Sequence, residues 1–207
     1  MKILFSLPPD DGEYHGLCMT CHQDGVIRFK DDEGFIKFRC PHCQAVNDRY
    51  IHIGYKPDDG VWWIDDAKEL WHESAGVFVR RPDGKYLFFE RIAYPLGYTI
   101  PAGHVDRQDL SPATTAIREL KEETGITAPS VTQIDEADIE GDKCIGGADS
   151  HKWSVFLATL TRDTDISIED SEGRKPVWLT LEEASERELP FAIRFIIDHF
   201  GAKINAA

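Results

Sequence analysis

The sequence predicts an α/β chain in two parts: a small module of short strands, then a larger domain of strands and amphipathic helices. Three observations predict it. Two C-x2-C pairs, Cys18/Cys21 and Cys40/Cys43, bracket short alternating apolar stretches near the start. From Ser74 onward, longer strand-like runs such as AGVFVRR and KYLFFERI take over. A well-punctuated helix follows, with Ser111 placed as N-cap, Pro112 at the first helical position and Gly125 as a left-handed stop. The expected division is an N-terminal segment and small module over 1–56, a connection over 57–73 and the larger domain over 74–207.

The front module is read from its cysteines. A C-x2-C turn aims two thiolates at one ion, and two such turns close a tetrahedron. Between the pairs, GVIRFK and GFIKFRC read as a short hairpin, and NDRYIHIGY after the second pair reads as a third strand. Two knuckles and three short strands make a zinc ribbon. Cys18, Cys21, Cys40 and Cys43 then hold structural Zn2+, because four thiolates leave no open position. So small a module has too little core to fold well without the ion. His22 and His42 are flanking residues on this reading. In KPDDGVWWIDDAKELW, residues 57–60 mark a turn, and Trp62, Trp63 and Trp71 are expected to pack the ribbon onto the next domain.

Composition narrows the function classes. The 207 residues are 42% hydrophobic, enough for one sizeable domain and a small module. The formal net charge of −14, with no block of five or more Lys or Arg, argues against a general nucleic-acid or anionic-membrane binder. An acidic chain still takes an anionic substrate if metal ions neutralise the site. No apolar run has the length of a membrane span, and the opening MKILFSLPPDDG is too short for a secretory core. A cytoplasmic chain is expected, and the paired cysteines agree with a reducing compartment.

Elements of the larger domain follow in order. AGVFVRR and KYLFFERI are strands joined by a PDG turn, GYTI is a third short strand, and AGHVDRQDL is a loop. The helix spans Ala113 to Thr124, with Ala116, Ile117 and Leu120 as its apolar face and Arg118, Glu119, Glu122 and Glu123 on other faces. Residues three and four apart on a helix are neighbours, so Glu119 faces both Glu122 and Glu123. Such like charges weaken a helix by a few tenths of a kcal/mol per pair, roughly, unless cations hold them together.

The stretch GHVDRQDLSPATTAIRELKEETGI, Gly103 to Ile126, resembles the signature box of Nudix hydrolases, G-x5-E-x7-R-E-U-x-E-E-x-G-U with U aliphatic. Gly103, Arg118, Glu119, Leu120, Glu122, Glu123, Gly125 and Ile126 match it. Two departures stand out: the loop is one residue longer, and the first glutamate has no match, with Asp109 or Leu110 falling there and Asp109 the expected stand-in. The resemblance extends to WSVFLATL as a later strand, to KPVWLTLEEASE as a strand and short helix, and to PFAIRFIIDHFGA as a final helix. It implies an α/β/α sandwich around a mixed sheet, cleavage of a nucleoside diphosphate linked to another group, and Mg2+ or Mn2+ as cofactor. Glu122 and Glu123 are then metal ligands, Glu119 a ligand or the general base, the Gly103 carbonyl a neutral ligand, and Arg118 the residue that orients the carboxylates. Two hard cations suit such chemistry, activating water and clamping both sides of the displacement.

Other candidates are less sharply marked. The resemblance implies a further acid from a loop outside the box, sought among Glu136, Asp138 and Glu140, or Glu169, Asp170 and Glu172, each by itself expected to be a solvated loop charge. Arg91 and His104 are candidate substrate contacts. Cys144 and His151 flank a Gly-Gly turn; a second metal or a Cys–His pair is conceivable, but a loop cysteine and a strand-edge histidine is the expectation. A ribbon before a Nudix domain also resembles NADH pyrophosphatases, yet nothing like their S-Q-P-W-P-F-P-x-S array follows the box. NADH, ADP-ribose, flavin dinucleotide and dinucleoside polyphosphates all stay open as substrates, and a homodimer is expected. The competing reading is a catalytically weak ligand sensor whose ribbon serves recruitment or dimerisation.

Overall fold

A computed structural model describes residues 1–162 and 164–207. The strands of the front half are β1 (Tyr14–Leu17), β2 (Ile27–Lys30), β3 (Ile36–Arg39), β4 (Val46–Asn47), β5 (Ile51–Gly54) and β6 (Trp62–Ile64). They lead into β7 (Leu70–Arg80), β8 (Tyr86–Arg91), β9 (Tyr98–Thr99), β10 (Ala102–His104) and helix α1 (Pro112–Thr124). The chain finishes with β11 (Thr132–Glu140), β12 (Ser150–Thr159), β13 (Gly173–Leu179), α2 (Leu181–Ser185) and α3 (Phe191–Ala206).

The main sheet has the order β11-β12-β7-β8-β13 and is mixed, because β7 and β12 run parallel while the other pairs are antiparallel. Strand β7 organises it. One edge carries β12 along ten residues, and the other carries β6, β10 and β8 in succession. Helices cover both faces. On one, Ile193, Ile196 and Ile197 of α3 and Ala184 of α2 pack with Phe78, Tyr86, Phe88 and Val155. On the other, Ala116 and Leu120 of α1 pack with Val77, Val79, Leu87 and Phe156. Alternation along β7 divides its side chains between these two cores. The expected α/β/α sandwich is therefore present.

Helix α1 begins and ends where its punctuation says. The Ser111 hydroxyl accepts from the Thr114 N–H, Pro112 follows, and Gly125 closes the helix at φ 73°. Ser111→Ala is expected to cost about 1 kcal/mol of stability, read as a lower denaturant midpoint at unchanged slope. An unchanged midpoint would mean that water replaces the cap at no cost.

The structure corrects several details. The hairpin β2–β3 forms, but the third strand of its sheet is the short β4. Strand β5, from NDRYIHIGY, pairs instead with β1. Its alternating Ile51 and Ile53 are fully buried against Ile3, Leu17, Leu70 and Ala148, a larger apolar surface than the hairpin offers. Part of AGHVDRQDL is strand β10, paired with β7 through Gly103↔Ala75. Glu136, Asp138 and Glu140 stand on the exposed side of strand β11 rather than in a loop, because Ile134, Ala137 and Ile139 pack inward. The stretch read as a connection supplies β6 and the start of β7. There the Trp62 indole donates to the Gly54 carbonyl and joins the front module to the sheet, whereas Trp63 and Trp71 stack on each other within the sheet, on the paired strands β6 and β7. Among the described residues no helix is long and apolar enough to cross a membrane.

Candidate active site

Strand β10 and helix α1 build the acidic half of the site. Gly103 stands in β10 directly against the Glu119 carboxylate. A methyl group added to Gly103 would lie 2.1 Å from Glu119 Oε1, so only glycine permits this approach. Gly103→Ala is accordingly expected to lower kcat/KM about 100-fold by displacing Glu119, with the fold retained. Activity near wild type would show that the carboxylate position is not critical.

Arg118 gathers the carboxylates around it. Its Nη1 donates to Glu119 Oε1 at 2.8 Å and to Glu122 Oε2 at 3.1 Å. Its Nη2 donates to Asp109 Oδ2 at 3.1 Å and to the His104 carbonyl at 3.3 Å, and it pairs with Asp106 at 3.1 Å. Asp109 also accepts from the Thr115 hydroxyl at 2.7 Å, whereas Leu110 is almost wholly exposed. Of the two residues that fall at the missing box glutamate, Asp109 is thus the one that engages Arg118.

Glu123 is not on an outer face of the helix. It follows Ala116 and Leu120 on the core side, is 5% exposed, and accepts the Ala102 N–H at 2.9 Å through one oxygen. Glu122 points outward beside Arg118. Burial pushes Glu123 well above the usual carboxylate range, and the nearby Glu119 and Glu172 push it further. Burial raises Glu119 to about 7 against the pull of Arg118, with Glu122 and Glu172 adding to the rise. Of the acids proposed outside the box, Glu172 reaches this group. Glu119, Glu123 and Glu172, together with Arg91, line one cavity of ≈ 290 Å³.

The same cavity has a second lining of different chemistry: His104, Cys144 and His151, with Lys143 beside them. The loop cysteine and strand-edge histidine of the sequence reading are therefore brought together, and with partners. His72 of β7, which the sequence reading did not single out, joins them. Its Nδ1 is 3.1 Å from His104 Nε2 and 3.5 Å from Cys144 Sγ. Its only signal in the sequence was an imidazole at an inward position of an apolar strand. Burial acts against charge at Cys144, yet His72 and His151 carry the thiol well below its ordinary value. Burial likewise opposes protonation of His151, but Cys144 and Asp142 raise it to about 10.

In the front module the four cysteines converge. Cys18 and Cys43 sulfurs are 3.7 Å apart, and those of Cys21 and Cys40 are 3.6 Å apart. Zinc–thiolate bonds of ~2.3 Å in a tetrahedron set sulfurs roughly 3.8 Å apart, so the group fits a zinc ion.

Comparison with known proteins agrees with this geometry. The model of the NUDIX domain matches residues 70–200. An RNA pyrophosphohydrolase of Novosphingobium aromaticivorans is 31% identical over 178 residues, covering 75% of this chain and 98% of that protein. A MutT protein from Methanosarcina mazei Go1 superposes with a TM-score of 0.54 at 21% identity, over 64% of this chain and 94% of its own. The NUDIX domain of Shewanella oneidensis NrtR, solved with ADP ribose, gives a TM-score of 0.52 at 19% identity, over 61% of this chain and 83% of that one. The box, the sandwich that presents it and the match across most of the larger domain place this chain in the Nudix hydrolase family, whose members act on pyrophosphate bonds.

Proposed function

We propose that this chain is a Mg2+- or Mn2+-dependent pyrophosphohydrolase that cleaves a nucleoside diphosphate linked to another moiety, such as ADP-ribose or NADH. The observation that carries the reading is the meeting of Glu119, Glu123 and Glu172 with Arg91 in one cavity. Burial and neighbouring acids raise the proton affinity of Glu119 and Glu123, a poor arrangement for an empty site and a good one for hard cations. The residues that would hold the ions are Glu119 and Glu123, Glu122 from the exposed side, the Gly103 carbonyl, and Glu172 as a further acid. The bound ions supply charge neutralisation at the diphosphate and a more acidic water.

The chain's own groups do the rest. Arg118 keeps Glu119 and Glu122 in place through one nitrogen. Glu119, against Gly103, is positioned to take a proton from the attacking water at a carboxylate oxygen. Arg91 and Lys143 offer positive charge to the substrate's phosphates. Zn2+ on Cys18, Cys21, Cys40 and Cys43 is structural in this reading.

Hydrolysis of ADP-ribose, NADH, flavin dinucleotide, diadenosine tetraphosphate and 5′-triphosphorylated RNA, with Mg2+ or Mn2+, tests it. One dinucleotide-type substrate cleaved clearly best is the expected result. RNA belongs in the panel because of the relative's name, although a net charge of −14 works against it. No turnover on any member by folded, zinc-loaded protein would move the reading to a ligand sensor.

A further inference from the structure

We propose that His72, His104, Cys144 and His151 form a second transition-metal site, suited to Zn2+, beside the carboxylate cavity and distinct from both the cysteine ribbon and the Mg2+/Mn2+ ligands. The four residues each present one ligand atom, all within 4.8 Å of one another. His72 Nδ1 lies 3.5 Å from Cys144 Sγ, the spacing of two ligand atoms around one ion, and 3.1 Å from His104 Nε2, slightly inside that spacing and at hydrogen-bond distance. Tetrahedral zinc with bonds of 2.0–2.3 Å separates nitrogen and sulfur ligands by roughly 3.3–3.8 Å.

Strand register makes the cluster. His151 of β12 lies directly opposite His72 in the parallel pairing, and His104 of β10 pairs with Ser74, two residues along the same face of β7. Cys144 arrives from the loop between β11 and β12. That loop closes over the rings because Gly146 has no side chain: a methyl group there would be 3.0 Å from His72 Cε1.

A shell of supporting bonds surrounds the group. His151 Nδ1 meets the Asp142 carboxylate and the Asp142 carbonyl, both at 3.0 Å, which leaves Nε2 for the ion. The Trp153 indole donates to the same carboxylate at 2.8 Å, and Asp142 is itself buried. A carboxylate behind a histidine in this way is how metal-bound imidazoles are commonly oriented. His72 and His151 are 2% and 1% exposed. A nucleophilic Cys–His pair needs one imidazole, and burying two more beside it has a desolvation cost without chemical return. Three imidazoles and a thiolate select zinc-like ions over Mg2+ or Mn2+.

Four protein ligands leave no open position, so the ion ties chain segments together. The ribbon grips the same loop from the other side. Arg49 donates to the Cys144 and Ala148 carbonyls at 2.7 and 2.8 Å, and the Tyr50 and His52 N–H groups donate to the Ile145 and Gly146 carbonyls at 3.0 Å. The second site thereby holds Lys143 at the cavity and fastens the ribbon to the catalytic domain.

The test is metal content of the full chain, loaded with Zn2+ and desalted. Two zinc ions per chain are expected, with an absorption-edge fit of about 1.5 nitrogen and 2.5 sulfur ligands per zinc. Cys144→Ser and His72→Asn should each fall to one zinc with an all-sulfur shell. Unfolding of either variant would also release zinc, so wild type carries a second readout. Cys144 should resist iodoacetamide when loaded and react after chelation. A single zinc with a nitrogen-rich shell would support this site and remove the ribbon assignment. One zinc with four sulfurs in folded wild type, or alkylation of Cys144 in the loaded protein, would overturn the proposal.

Discussion

Glu119→Gln is expected to lower kcat about 1,000-fold while leaving the protein folded. The substitution keeps size and retains an oxygen for Arg118 Nη1, so packing against Gly103 survives. What disappears is one negative charge among Glu119, Glu123 and Glu172, and with it both a cation ligand and the proton acceptor. Metal ions supply several kcal/mol to reactions of this kind, and each 1.36 kcal/mol is tenfold in rate, so a loss of about 4 kcal/mol corresponds to the stated effect. The same change should stabilise the protein in EDTA, because it relieves repulsion that burial intensifies. A rate within a few-fold of wild type on the best substrate would remove Glu119 from the chemistry. A lower melting temperature in EDTA would contradict the electrostatic account.

Cys40→Ser is expected to release one zinc per chain and unfold the ribbon. Structural zinc contributes an apparent 10–16 kcal/mol in small zinc-binding modules, and three thiolates cannot close the tetrahedron. Damage should spread beyond the ribbon. Ile51 and Ile53 of β5 share a buried cluster with Leu70 and Ala148 of the catalytic half, and Arg49 holds the Cys144 loop. Limited trypsin digestion should cut faster at Arg28, Lys30, Lys37 or Arg39, whose backbone the folded protein holds in the paired β2–β3 hairpin. Activity should fall through a raised KM, since the cavity loses the support of that loop. Unchanged zinc content, or resistance to trypsin equal to wild type, would refute the structural role.

Features held by near neighbours in the chain were legible in advance. Ser111, Pro112 and Gly125 act on their own helix, each cysteine pair closes a turn of four residues, and Glu119 through Glu123 meet because helix geometry brings residues three and four apart together. For the same reason the box was readable, and Arg118 does contact the carboxylates one and four positions on. Glu172 stood among equally plausible loop acids, because nothing local distinguishes an acid that faces a cavity from one that faces water.

Tertiary structure decided the remainder. Strand β5 chose β1 because the burial of Ile51 and Ile53 needs Ile3 and Leu70, which lie far off in sequence. Glu123 is buried because α1 packs its flank onto the sheet, a rotation that charge alone would not suggest. The histidine and cysteine cluster depends on the parallel register of β7 and β12, which sets His151 opposite His72, and on β10 filling the other edge of β7. Helix caps and C-x2-C turns are short-range interactions, complete within a few residues. Register between distant strands is settled by packing on both faces of a sheet at once. The sequence alone therefore determined the carboxylate helix and the four-cysteine cluster, while the sheet decided what stands across the cavity from that helix.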